Sequence, residues 1–227
     1  MISTTAISPI LTIPPLENGD KLTRHEFERR YHAMPNLKKA ELIEGVVYVA
    51  SPVRAKQHGK PHARIMGWLI AYEAATPGVE ALDNTTVLID TENEPQPDDL
   101  LRIETGGQSR IYKDDYVEGA PELIVEIAAS SASYDVHEKL KVYRRNQVQE
   151  YLIWRVYDYQ FDWFRLQQGE YIQLQPNADN IICSQVFPGL WLDKTALLGG
   201  DLGTVLAVLQ QGLASPEHEN FISRLSN

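Results

Sequence analysis

Cysteine is almost absent from this chain. Cys183 is the only one among 227 residues, which excludes an intrachain disulfide framework and any cysteine-built zinc cluster, and fits a reducing, cytoplasmic setting. Long apolar runs are missing as well. None approaches the roughly 20 residues that a membrane-spanning helix needs, so no membrane association is expected. The opening MISTTAISPILTIPPLENGD has neither the basic start nor the continuous apolar stretch of a signal peptide, and Pro9, Pro14 and Pro15 oppose regular structure. Residues 1–20 are therefore expected to be an irregular tail. Positive charge is in deficit: 21 Lys and Arg stand against 31 Asp and Glu, a net charge of −10, which weakens any case for broad, sequence-independent binding of nucleic acid. There is no GxxxxGK phosphate loop, and GGDLG at 199–203 lacks the preceding strand and spacing of a dinucleotide fingerprint. His58 and His62 stand four apart, but Gly59 and Pro61 interrupt them and no HExxH surrounds them, so no zinc site is expected at that pair.

What is present reads as an ordinary globular chain, 43% hydrophobic and 23% charged. LTRHEFERRYHAM reads as a short helix with Thr23 as its cap and Glu26 as a capping-box partner. AELIEGVVYVAS reads as two strands around a Glu-Gly turn, and HARIMGWLIAYEAA as a helix with Ile65, Trp68, Leu69 and Tyr72 on one face. TTVLID and DDLLRI read as strands. PELIVEIAASSASYDVHEKLKVY reads as a strand over about 122–128, a Ser/Ala turn and a helix over about 135–146. QEYLIWRVY, QFDWFRLQ and EYIQLQP follow as antiparallel strands, with Gln168-Gly169 as a hairpin turn, and the chain ends in helices, the last capped by Ser215. This order predicts an α/β domain on one mixed sheet, without the regular alternation of a doubly wound fold.

Glu126 interrupts the apolar run Leu123, Ile124, Val125 and Ile127. Removing a carboxylate from water costs roughly several kcal/mol unless a cation or strong donors meet it. Alternation places Glu122, Ile124, Glu126 and Ala128 on one face, with Glu122 near enough to the strand start to be solvated. Asp98 and Asp99 open an apolar strand and must face opposite sides of it. If the two strands are neighbours, one aspartate lies beside Glu126, and a hard cation such as Mg²⁺ or Mn²⁺ would relieve their repulsion. A structural alternative for Glu126 is a buried pair with Arg155. For Asp98 it is a turn after Pro97, for Lys139 a surface pair with Asp135, and for Glu41 a solvent-facing place on a hairpin.

A Pro-Asp strand followed by an apolar strand containing Glu resembles the PD-(D/E)XK nuclease superfamily. ELIEG, SPVRAKQH, QPDDLL, APELIVEIAASSASYDVHEKLKVY and QEYLIW, taken in order, resemble one branch of it, described as restriction endonucleases of unknown function. The similarity covers about residues 22–193. It implies a restriction-endonuclease-like mixed β-sheet flanked by helices, with an added antiparallel strand region and C-terminal helices. The division it suggests is a tail over 1–20, a domain over 21–193 and a helical appendage over 194–227.

Carried over position by position, the resemblance makes Asp98 and Glu126 the metal-binding acids. The superfamily lysine is replaced by Ala128, and Lys139 becomes the lysine that this branch moves onto the following helix. Glu41 becomes an upstream acid completing the catalytic site, and His58 matches a histidine at the start of the second helix. The implied activity is Mg²⁺- or Mn²⁺-dependent hydrolysis of phosphodiesters in nucleic acid, DNA above all. Cutting both strands takes two active sites, so a homodimer is expected, with residues 150–175 or the C-terminal helices as its interface. The segment from Gly45 to Tyr72 holds no acid, and its Arg54, Lys56, His58, Lys60 and Arg64 are candidate phosphate contacts or simply a solvated face. Two other functions stay open: a catalytically inactive nucleic-acid- or protein-binding module on the same fold, and a two-carboxylate hydrolase of another ester or glycoside. Ser130, Ser131 and Ser133 read as turn and cap residues.

Overall fold

The computed structural model describes residues 13–50, 54–112, 115–129 and 135–226. Its centre is a six-stranded mixed sheet in the order β11-β10-β9-β8-β5-β3. These strands are β3 (Val79–Asp83), β5 (Asp99–Ile103), β8 (Leu123–Ala128), β9 (Glu150–Arg155), β10 (Gln160–Gln167) and β11 (Glu170–Gln173). Only β8 and β9 run parallel; the other neighbours in this sheet are antiparallel. That exception fixes the site, because adjacent parallel strands need a crossover. The crossover is a π-helical turn over Asp135–Lys139 that continues into α3 (Leu140–Arg145). The same device precedes α2 (Lys60–Glu73), whose π-helical turn is Ala55–Gly59.

The sheet buries both faces. On one, Leu101, Leu123, Val125, Ile127, Leu152 and Trp154 pack against Ile65, Trp68, Leu69 and Tyr72 of α2. On the other, Leu100, Ile124, Ala128, Tyr151 and Ile153 pack against Val142 and Tyr143 of α3 and Ile43 of the hairpin β1–β2 (Ala40–Ile43 and Val46–Val49). Helix α1 (Arg24–His32) covers that hairpin with Phe27. The C-terminal helices α4 (Lys194–Gly199), α5 (Leu202–Leu213) and α6 (Pro216–Leu225) give Leu197, Val205, Leu209 and Phe221 to the same core as α2.

Several local readings hold. Thr23 and Ser215 cap α1 and α6 by accepting from the N–H of Glu26 and His218. Gln168 and Gly169 both take positive φ, as a tight hairpin requires. Other readings need correction. Glu26 does not complete a capping box; its carboxylate holds Arg29 and Arg30. TTVLID yields only β4 (Val87–Leu88), because Asp90 turns the chain by accepting from the Glu92 N–H and the Asn93 amide. QEYLIWRVY, expected to be antiparallel, pairs parallel with β8 on one side and antiparallel with β10 on the other. VEALD, which carries no strand signal singled out from sequence, is the edge strand β3. The Ser/Ala turn with Ser130, Ser131 and Ser133 lies outside the described residues, as does the side chain of Asp135.

Candidate active site

Strands β5 and β8 are paired with Asp99 opposite Val125, Leu100 opposite Ile124 and Leu101 opposite Leu123. Continuing that register by one residue puts Asp98 opposite Glu126, on the sheet face covered by α3. The two also share a backbone link, since Asp98 Oδ2 accepts from the Ile127 N–H at 2.8 Å. Asp98 Oδ1 lies 3.2 Å from His58 Nε2 and 3.5 Å from Lys39 Nζ. Burial pushes the Asp98 carboxyl up. The His58 hydrogen bond, the Lys39 charge and the Ile127 N–H outweigh it and hold the group well below the usual carboxylate range. An ionised carboxylate only accepts, so His58 carries its proton on Nε2.

Glu126 is 3% exposed. Its Oε1 accepts from Lys139 Nζ at 2.9 Å and from Tyr143 Oη at 2.8 Å. Lys139 and Tyr143 are one turn apart and so share a helical face. The crossover lays that face over β8, where Tyr143 joins the core that holds Ile124 and Ala128. Lys139 is itself 2% exposed and makes a second ion pair, to Glu41 Oε1 at 2.8 Å. Glu41, on β1, also accepts from the Gln96 N–H at 2.7 Å, just before Pro97 and Asp98. The four residues singled out from sequence thus converge: Asp98 just before β5 and Glu126 on the neighbouring β8, with Lys139 joining Glu126 to Glu41.

Several structural alternatives resolve by geometry, while the pairing of Lys139 with Asp135 lies outside the described residues. Arg155 does not meet Glu126; it pairs with Asp162 at 2.8 Å and Asp158 at 2.9 Å. Glu41 is buried, not solvent-facing. Glu122 is neither solvated nor part of the site; it is buried and accepts from the N–H groups of Ile103 and Gln108, closing the loop after β5. Asp99 faces the other side of the sheet, toward His62. Of the basic segment, Arg54, Lys56 and Lys60 are exposed, whereas His58 is turned inward to Asp98. Arg64 donates to the carbonyl of Gly200, whose left-handed φ of 83° ends α4. Tyr143 and Lys39 were not singled out from sequence. The signal for Tyr143 was its i, i+4 spacing from Lys139; Lys39 had none.

Among the described residues no helix is long and apolar enough to cross a membrane. The sequence model of a family described as "Uma2: Putative restriction endonuclease" matches residues 25–195. No curated protein matches the chain significantly. Among solved structures, the crystal structure of "a putative nuclease belonging to DUF820 from Anabaena variabilis ATCC 29413" is similar with a TM-score of 0.53 and 14% sequence identity. The match covers 75% of this chain and 97% of that one. That likeness shows the restriction-endonuclease-like fold.

Proposed function

The chain belongs to the Uma2 family, and from that premise we propose that it hydrolyses phosphodiester bonds in nucleic acid, DNA above all, with a divalent metal. The observation that carries the proposal is the delivery of Lys139 Nζ from the crossover helix onto Glu126, opposite Asp98. Two carboxylates in register, one of them held ionised, make the hard oxygen set that Mg²⁺ or Mn²⁺ takes. Asp98 and Glu126 would hold the ion. When bound, it would polarise a phosphoryl oxygen and supply a nucleophilic water at neutral pH.

The remaining residues orient these groups. His58, Lys39 and the Ile127 N–H hold Asp98 in its charged form. Tyr143 fixes Glu126, and Glu41 fixes Lys139. The Lys139 ammonium, with three donors and a fixed charge, would stabilise the charge that builds on the phosphate. Arg54, Lys56 and Lys60, exposed on the approach to α2, would hold flanking phosphates. Cutting both strands calls for two such sites, so we propose a homodimer acting in the cytoplasm.

One observation favours a second reading, a silent binding module: Lys139 already neutralises two buried carboxylates, a purely structural service. A plasmid-nicking assay with Mg²⁺ or Mn²⁺ separates the two readings. Nicking by wild type, lost in Glu126→Gln and in a folded Lys139→Met, supports the nuclease. Equal, salt-sensitive binding of DNA by all three with no nicking supports the module.

A further inference from the structure

On the face of β5 opposite Asp98, a different set of ligand atoms lies together. The antiparallel register of β3 and β5 places Asp83 directly across from Asp99. Like charges in that relation destabilise a sheet unless something sits between them. His62, from the first turn of α2, points its Nε2 into the gap: it lies 3.0 Å from Asp99 Oδ1, 3.1 Å from Asp83 Oδ1 and 3.1 Å from the Asp98 carbonyl oxygen. The three side-chain ligand atoms fall within 4.8 Å of one another.

Hydrogen bonding does not fully balance this group. The Asp98 carbonyl also accepts from the Asn84 N–H at 2.9 Å and Asp83 Oδ1 from the Asn84 side-chain amide at 2.7 Å, which leaves Asp99 as the group that the single Nε2 proton does not satisfy. The Asp99 side chain is wholly buried, and its Oδ2 has no hydrogen-bond partner among the described residues. A buried acceptor without a donor is costly to leave so. A dication in place of the single proton would take one oxygen from each carboxylate and bring a neutral imidazole and two carboxylates to zero net charge.

We propose that His62, Asp83 and Asp99 form a binding site for a divalent first-row transition ion of the Mn²⁺, Co²⁺ or Zn²⁺ class, separate from the Asp98–Glu126 pair. The imidazole ligand selects these ions over Mg²⁺ and Ca²⁺, which prefer all-oxygen sets. Asp83, with its side chain 56% exposed, opens the site to solvent and gives the ion a way in. The ion would join β3, β5 and α2, and β5 begins one residue after Asp98. This site does not depend on nuclease activity, so a protein that cuts no DNA would leave it standing.

The test uses the full chain, stripped with a chelator and titrated with Co²⁺, whose visible absorption reports a nitrogen ligand. Wild type, Asp83→Asn, His62→Gln and Glu126→Gln are compared, with a crystal soaked in Zn²⁺ to locate the ion by anomalous scattering. Asp83→Asn alters an exposed group, so its fold is expected to stand. We expect a Co²⁺ signal of nitrogen-ligand type in wild type, with its affinity kept in Glu126→Gln and weakened at least tenfold in Asp83→Asn and His62→Gln, as losing a metal-site partner does. An anomalous peak at His62 would agree. No Co²⁺ binding by wild type, binding lost only in Glu126→Gln, or binding unchanged in Asp83→Asn and His62→Gln would each overturn the proposal.

Discussion

Lys139 and Tyr143, one helical turn apart, end on the same atom: both donate to Oε1 of Glu126, at 2.9 and 2.8 Å. The carboxylate that interrupts an apolar strand is thus met by a cation and a hydroxyl carried on the crossover that the parallel pair β8–β9 requires. The lysine sits thirteen residues after the glutamate in sequence and beside it in space.

Replacing Lys139 by Met keeps the volume but leaves Glu41 and Glu126 facing each other without a cation. Breaking a buried pair in this way costs roughly 3–5 kcal/mol. Urea unfolding should show that loss, and adding Glu126→Gln should recover part of it through a coupling of about 0.5–3 kcal/mol. Strictly additive effects would mean the two side chains do not act on each other.

Tyr143→Phe removes only the hydroxyl. The expected cost is roughly 1.5–3 kcal/mol, the range for a hydrogen bond to a charged group. In the nicking assay the variant should cut more slowly at saturating DNA with little change in DNA affinity, because Tyr143 acts through Glu126. A rise in the DNA dissociation constant with an unchanged rate would contradict that role.

Glu122→Ala should separate structure from chemistry. The lost acceptor served two backbone N–H groups, of Ile103 and Gln108. Roughly 2–3 kcal/mol of stability should go with it, while Mn²⁺ affinity at Asp98 and Glu126, read by calorimetry, stays as in wild type.

Glu94 carries a pH signature. Burial, with Glu28 nearby, raises its carboxyl from 4.5 to about 8, and its Oε2 has no hydrogen-bond partner among the described residues. The folded state therefore holds this proton more tightly than the unfolded chain. Its contribution is fully present below about 4.5 and is lost as pH rises toward 8. Glu94→Gln should match wild type in unfolding free energy at low pH and exceed it by a margin that grows between about 4.5 and 8 and then levels off at no more than a few kcal/mol. A constant difference across pH would place the titration elsewhere.

The basic segment should divide in two. Lys56→Ala should weaken DNA binding and lower the salt slope by about 1. Arg64→Ala should leave binding unchanged and lower stability, since its guanidinium holds the Gly200 carbonyl at the end of α4. Binding assays across a salt series, beside thermal melts, check both.

Sequence by itself determined the features that depend on neighbours along the chain. Alternation put Glu126 inside β8 and set Asp98, just before β5, and Asp99, its first residue, on opposite sides of the sheet, because side-chain direction in a strand repeats every second residue. Hydroxyl caps at Thr23 and Ser215 and the Gln168-Gly169 turn were legible for the same local reason. Motif order also linked Asp98, Glu126, Lys139 and Glu41 before any distance was known.

Tertiary structure decided the partners. That Arg155 serves Asp162 and not Glu126 follows from the register of β9 with β10. That Glu122 closes a loop follows from where residues 103–108 return to β8. The gathering of His62, Asp83 and Asp99 depends on β3, a strand whose apolar alternation is too short to stand out after Pro77-Gly78. Register and crossover arise from packing between segments distant in sequence, and no period within either segment encodes them.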